Sequence, residues 1–192
     1  MAKIREFRPD REGTGQLNKL WPTPKQQLRA LRWLLYGAIC LVGLLMQDVL
    51  LYRVNILGGC TDVVPCIVMM VAVMQGAESG GTFALLMSLL YYFSGSSAGF
   101  YVIPLLTAVA VFVAMFRQAF LRKGFFTLLL CSAVGMCLYE LILFGVCLFL
   151  KLTAMHRAGA VMMTALLSLL AVPALYPVLL AIGNLGGKTW KE

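Results

Sequence analysis

Within 95-GSSAG-99, Ser97 takes the nucleophile place of a G-x-S-x-G pattern, and the chain's one histidine, His156, is the only imidazole that could serve it as a base. Such a pair performs acyl transfer only when hydrogen-bonded beside an oxyanion hole, and the pattern has mechanical meaning on a strand-to-helix elbow. Here it joins two apolar stretches, so the expectation is a turn and no enzyme. Glu140, in 137-CLYELILFG-145, is the one ionisable residue deep within an apolar run. Carboxyls in that setting mark ion paths or proton relays, or they make a packing hydrogen bond to a hydroxyl such as Ser88 or Tyr91. Both readings stay open, although a relay needs several polar groups in series and the runs offer few. Asp62, with Pro65 three residues on, reads as the cap of a helix start. Glu78, in the apparent turn 76-GAESGG-81, reads as a solvated charge or a partner contact. The six cysteines form no CxxC and have no paired histidines, so neither a metal nor another cofactor is expected. Cys60 and Cys66 are the one candidate disulfide pair.

These residues must be positioned by membrane helices. At 192 residues, 61% apolar and mean hydropathy +0.88, the chain suits lipid rather than water. Uncharged runs at 33–51, 63–75, 82–93, 100–116, 125–150 and 159–183 give an all-α bundle of six transmembrane helices. At about 1.5 Å per residue the second and third fall short of a hydrocarbon core of about 30 Å. No apolar run precedes Trp33, so the first span is expected to act as its own insertion signal. Of the sixteen Lys and Arg, all but Arg53, Lys151 and Arg157 fall on the side of the N-terminus. The positive-inside rule then puts both termini in the cytoplasm. That asymmetry accounts for most of the net charge of +8, leaving no call for nucleic acid.

Three regions follow: a basic tail with a short amphipathic helix (1–32), the bundle (33–183) and a C-terminal tail (184–192). Thr23, Pro24 and Gln26 make a helix-start pattern. Lys25, Arg29 and Arg32 share one face opposite Leu28, Leu31 and Leu35, which suits a helix lying on anionic lipid. Trp33 and Tyr52 are expected as interfacial aromatics, and Pro173 as a kink in the last helix.

Gly76, Gly80, Ala84 and Ser88 recur every four residues and form a smooth stripe on one helix face. Such a seam lets a second backbone approach closely, which in lipid supplies much of the association energy. The third helix is therefore expected at the centre of the bundle. Ser94, Gly95 and Gly99 belong to the turn that leads into the fourth helix, where glycine tolerates unusual backbone angles.

The stretches 44-LLMQDVLLYRV-54, 61-TDVVP-65 and 76-GAESGGTFALLMSLLYYFSGSSAGF-100 together resemble the rod shape-determining membrane protein family MreD. The resemblance is strongest over residues 44–110 and looser through 183. Gln47 matches the family's glutamine at the end of the first helix, Gly76 and Gly80 its glycines, and Ser94 with Gly95 its Ser-Gly turn. The chain departs from the pattern in placing Asp62 ahead of Pro65, and in carrying Tyr91 where the family has an acid. The resemblance implies a non-enzymatic scaffold in the bacterial cytoplasmic membrane. It would bind an MreC-like single-pass protein and help couple MreB filaments to RodA and a penicillin-binding transpeptidase. Tyr91, Asp62 and Glu78 are then the candidate partner contacts, and Glu140 and Gln47 the intramembrane polar pair. The family is also distantly similar in fold to the substrate-binding subunits of energy-coupling-factor vitamin transporters. That alternative needs convergent polar groups on apolar walls. The outer halves of the spans are poor in them, with Arg53, Asn55 and Tyr101 as the loop candidates.

Overall fold

In a computed structural model the protein is described over residues 24–49, 59–122 and 124–185. The basic tail to Thr23, the loop with Tyr52, Arg53 and Asn55, and the chain from 186 lie outside the described residues. Six helices follow in order: α1 (Pro24–Val49), α2 (Val63–Gln75), α3 (Ala77–Phe93), α4 (Val102–Phe120), α5 (Phe125–Phe149) and α6 (Ala158–Gly183). A single 3₁₀ turn (Met155–Arg157) precedes the last, and no β-strand occurs among the described residues. The described residues are all-helical, and α1, α4, α5 and α6 are long and apolar enough to cross a membrane, consistent with a membrane protein.

Two boundaries differ from the sequence expectation. The amphipathic segment and the first span are one continuous helix, because neither proline nor glycine interrupts residues 25–36. The segment 76-GAESGG-81 is no loop: Gly76 alone, at φ +96°, reverses the chain, and α3 starts at Ala77. Helical bonding is the cheapest way to satisfy backbone groups in an apolar setting, and the positive φ at one glycine is enough to make the corner.

The centre of the bundle is α2, not α3. Every residue from Val63 to Met74 is buried, and α2 packs against each of the other five helices. α3 hides only one face, leaving Leu85, Leu86, Leu89, Leu90 and Phe93 exposed. Its stripe is the buried face: Gly76, Gly80, Ala84 and Ser88 all lie inside. At Gly80 the α2 backbone comes so close that an added Cβ would sit 2.5 Å from Ala72 Cα and 2.9 Å from its carbonyl oxygen. The stripe thus marks where α3 leans on the central helix, and it does not make α3 central.

The end of the bundle that holds Arg29, Arg32 and Arg117 is closed by aromatic packing. Trp33, Tyr36 and Phe83 lie with ring centroids 5.9–6.3 Å apart. Gln75 Nε2 donates to the Tyr36 hydroxyl at 2.9 Å, tying α1 to the end of α2. Trp33 is partly buried in this cluster rather than serving only as an interfacial anchor.

Candidate functional site: a polar cavity at the opposite end

The opposite end is built differently. The end of α1, the start of α2, the end of α3 and the first half of α6 surround a cavity of about 470 Å³. Gln47, Asp48, Cys60, Thr61, Asp62, Tyr91, Ser94, Gly95, Ser96 and Thr164 line it. The expectation that the spans lack convergent polar groups is therefore wrong for this end. Each polar residue sits at or near a helix terminus, so no single apolar run shows the convergence.

Asp62 is the hub. Its Oδ1 accepts from Gln47 Nε2 of α1 at 2.6 Å and from the Tyr91 hydroxyl of α3 at 2.9 Å. Its backbone N–H donates to Ser168 Oγ of α6 at 2.7 Å. Four helices therefore meet at one residue. Asp62 also stands in the N-cap position of α2, yet its side chain makes no capping bond. Gln47 supplies the cap instead, its Oε1 accepting from Val63 N at 3.0 Å and Val64 N at 3.2 Å. A side chain from α1 thus satisfies two of the donors that a helix start leaves open. Burial pushes the Asp62 carboxyl up to about 6, against the downward pull of the Tyr91 and Gln47 hydrogen bonds.

The rim comes from the turn after α3. Gly95 and Gly99 have positive φ there, and Ser94 Oγ donates to the Tyr91 carbonyl at 2.8 Å while lying 3.0 Å from Ser96 Oγ. Ser96 in turn donates to Asp48 Oδ1 at 2.5 Å, closing the turn onto the end of α1.

Other sequence candidates fall elsewhere. Glu140 is buried in α5, but Ser88 and Tyr91 are not its partners, and its Oε1 has no hydrogen-bond partner. Ser88 donates to the Leu85 carbonyl at 2.9 Å and sits 3.4 Å from Thr107 Oγ1, while Tyr91 is taken by Asp62. Glu140 does lie within electrostatic reach of Asp62. Glu78 is exposed in the first turn of α3. Tyr101 lines an apolar groove with Phe100, Leu141 and Phe149 instead of the polar cavity. Ser97 Oγ is buried without a hydrogen-bond partner, and His156 is exposed on the 3₁₀ turn, so the two do not form a nucleophile–base pair. Cys60 and Cys66 are not joined in a disulfide.

Sequence reasoning missed Ser168, Thr164 and Ser96. The signal for the first two was available, since Thr164 and Ser168 sit one helical turn apart as hydroxyls on an otherwise apolar stretch. Ser96 was visible only as part of a serine-rich turn. No family model, no curated protein and no solved structure matches this chain.

Proposed function

We propose that the chain is a non-enzymatic membrane scaffold of the cell-elongation machinery, of the MreD type. In this reading it lies in the bacterial cytoplasmic membrane with both termini in the cytoplasm. It binds an MreC-like single-pass partner and helps couple MreB filaments to peptidoglycan synthesis by RodA and a penicillin-binding transpeptidase. The basic N-terminal tail adds attraction to anionic lipid. One observation carries the reading. Gln47, Ser94 and Gly95, positions on which the resemblance rests, gather with Tyr91 around Asp62 and a single cavity, although Gln47 lies far from the other two in sequence. The other two such positions, Gly76 and Gly80, form the corner and the contact that set α3 against α2. The phenol of Tyr91 stands where the family carries an acid, and it meets the Asp62 carboxylate by donating to it. Depletion should round the cells, and the tagged chain should co-purify with an MreC-like protein from native membranes. Intact rods after depletion would refute the proposal.

The cavity supports a second reading, a substrate-binding membrane subunit of a vitamin transporter with the energy-coupling-factor fold. A volume of about 470 Å³ lies in the range of small-molecule sites. In that case a vitamin should raise the melting temperature of the purified protein, and a flat thermal-shift screen would remove the reading.

A further inference from the structure

The cavity wall has a chemical bias that neither reading requires. Its donors are largely spent within the protein: the Gln47 amide and the Tyr91 hydroxyl both serve Asp62, and the Ser96 hydroxyl serves Asp48. The hydrogen bonds these groups make to the two carboxylates all fall on Oδ1 of each. Glu140 of α5, outside the lining, is more than nine-tenths buried and its Oε1 has no hydrogen-bond partner, so it supplies the wall with no further donor. Among the described lining residues there is no Lys, Arg or His. What the wall lacks is hydrogen-bond donors and positive charge. Anions are repelled from such a wall, and a neutral acceptor finds few donors free. A planar or tetrahedral nitrogen cation meets both deficits at once, because it brings several N–H donors and no acceptor.

We propose that this cavity is a binding site for a cationic nitrogen group, a guanidinium or ammonium. It is held between Asp48 at the rim and Asp62 at the floor, and is carried either on a free small molecule or on a side chain of a protein partner. The site goes beyond the scaffold proposal, since its binding is measured on the purified protein, whereas the scaffold role stands or falls on cell shape.

The test compares butylguanidinium with butylurea, its neutral near-isostere, by titration calorimetry on the full chain in lipid nanodiscs. Butylguanidinium should bind at least about tenfold more tightly, as expected for a paired charge in a partly desolvated site. Equal binding of the two, or binding of neither, would overturn the proposal. Asp48→Asn, at an exposed position, should weaken butylguanidinium at least about threefold without disturbing the fold. Asp62→Asn should weaken it more, and unchanged affinity in both variants would also overturn it. Two arms separate the sources. Capped arginine (N-acetyl-arginine methylamide) binding as well as butylguanidinium points to a partner's side chain, and agmatine binding well above both points to a free polyamine-like molecule. Arg53 is the nearest cation in sequence, and Arg53→Gln should leave the affinity unchanged. Binding that appears only when Arg53 is removed would show that the chain fills its own cavity, against the proposal.

Discussion

The two ends of the bundle solve the same problem in opposite ways. At one, α2 and α3 meet through the single residue Gly76, and Trp33, Tyr36 and Phe83 fill the space with rings. The other end spreads α1, α2, α3 and α6 around a cavity and holds them with side-chain hydrogen bonds centred on Asp62. Close backbone packing leaves no room for a ligand and needs none. Hydrogen bonds across a gap fix the helices while keeping the gap open. The comparison teaches that the small-residue stripe is the support of the site and not the site itself.

The sharpest way to break this comparison is at the closed end. Gly80→Leu places a branched side chain where an α2 backbone atom already stands, and the overpacking should cost upward of about 3 kcal/mol. The expected result is loss of a monodisperse peak in size-exclusion chromatography. Gly145→Leu is the control, since nothing lies within 4 Å of a Cβ there, and it should keep both yield and melting temperature. If both variants behave alike, close packing of α3 on α2 is not what holds this end.

At the open end the largest single effect belongs to Gln47. Gln47→Leu strips the Val63 and Val64 N–H groups of their acceptor and Asp62 of a donor, which should cost about 2 kcal/mol. Gln47→Glu keeps an acceptor for the two N–H groups but sets a second carboxyl against Asp62. It should recover part of the lost melting temperature at pH 5 and less at pH 8. A Gln47→Leu variant as stable as the parent would mean that α2 is capped by something else.

How much of this was legible depended on the solvent as much as on the sequence. Six helices could be read because long uncharged runs have one meaning in lipid, and α2 was bounded at 63–75 by its polar neighbours. Which helix is central could not be read. In water an all-round apolar helix must be buried, whereas lipid is as apolar as a protein interior and gives no such instruction. Small residues at Gly76, Gly80 and Ala84 were the only available cue, and they report a contact without saying which partner lies at the centre. The site was half-visible: Gln47, Asp62, Tyr91, Ser94 and Gly95 were each singled out, but for separate reasons. Their meeting depends on the relative heights of four helix ends, set by packing far along each helix. Ser168 entered only through α6, which pairs with Asp62 across more than a hundred residues of sequence.

Acidity offers a gentler probe of the open end. The Asp62 carboxyl stands at about 6 in the folded protein against an ordinary value of 3.8, so folding favours its neutral form. That contribution is whole below 3.8 and is lost as the pH rises through about 6. Relative to Asp62→Asn, the parent should therefore lose melting temperature between pH 4 and pH 7, while the variant's own profile is flatter. Among the described residues, the titratable groups around Asp62 include Asp48 of α1, Cys60 ahead of α2, Cys66 of α2, Tyr91 of α3, and Tyr139 and Glu140 of α5. Parallel profiles for parent and variant would assign the pH response to another of these.

The smallest expected change isolates one hydrogen bond. Tyr91→Phe removes the donor at 2.9 Å from Asp62 Oδ1 and leaves the ring to pack as before. The hydroxyl favours the charged carboxylate, so its loss should move the Asp62 titration upward, followed as the carboxyl stretch in infrared difference spectra. Its stability cost, about 1 kcal/mol at neutral pH, should fade at pH 4, where the neutral carboxyl needs the donor less. Tyr36→Phe at the closed end provides the contrast, because it removes a hydroxyl bonded to the neutral Gln75 amide. Its cost should be the same at pH 4 and pH 7. A pH-independent cost at both tyrosines would mean that the two ends, for all their difference in packing, treat a buried phenol alike.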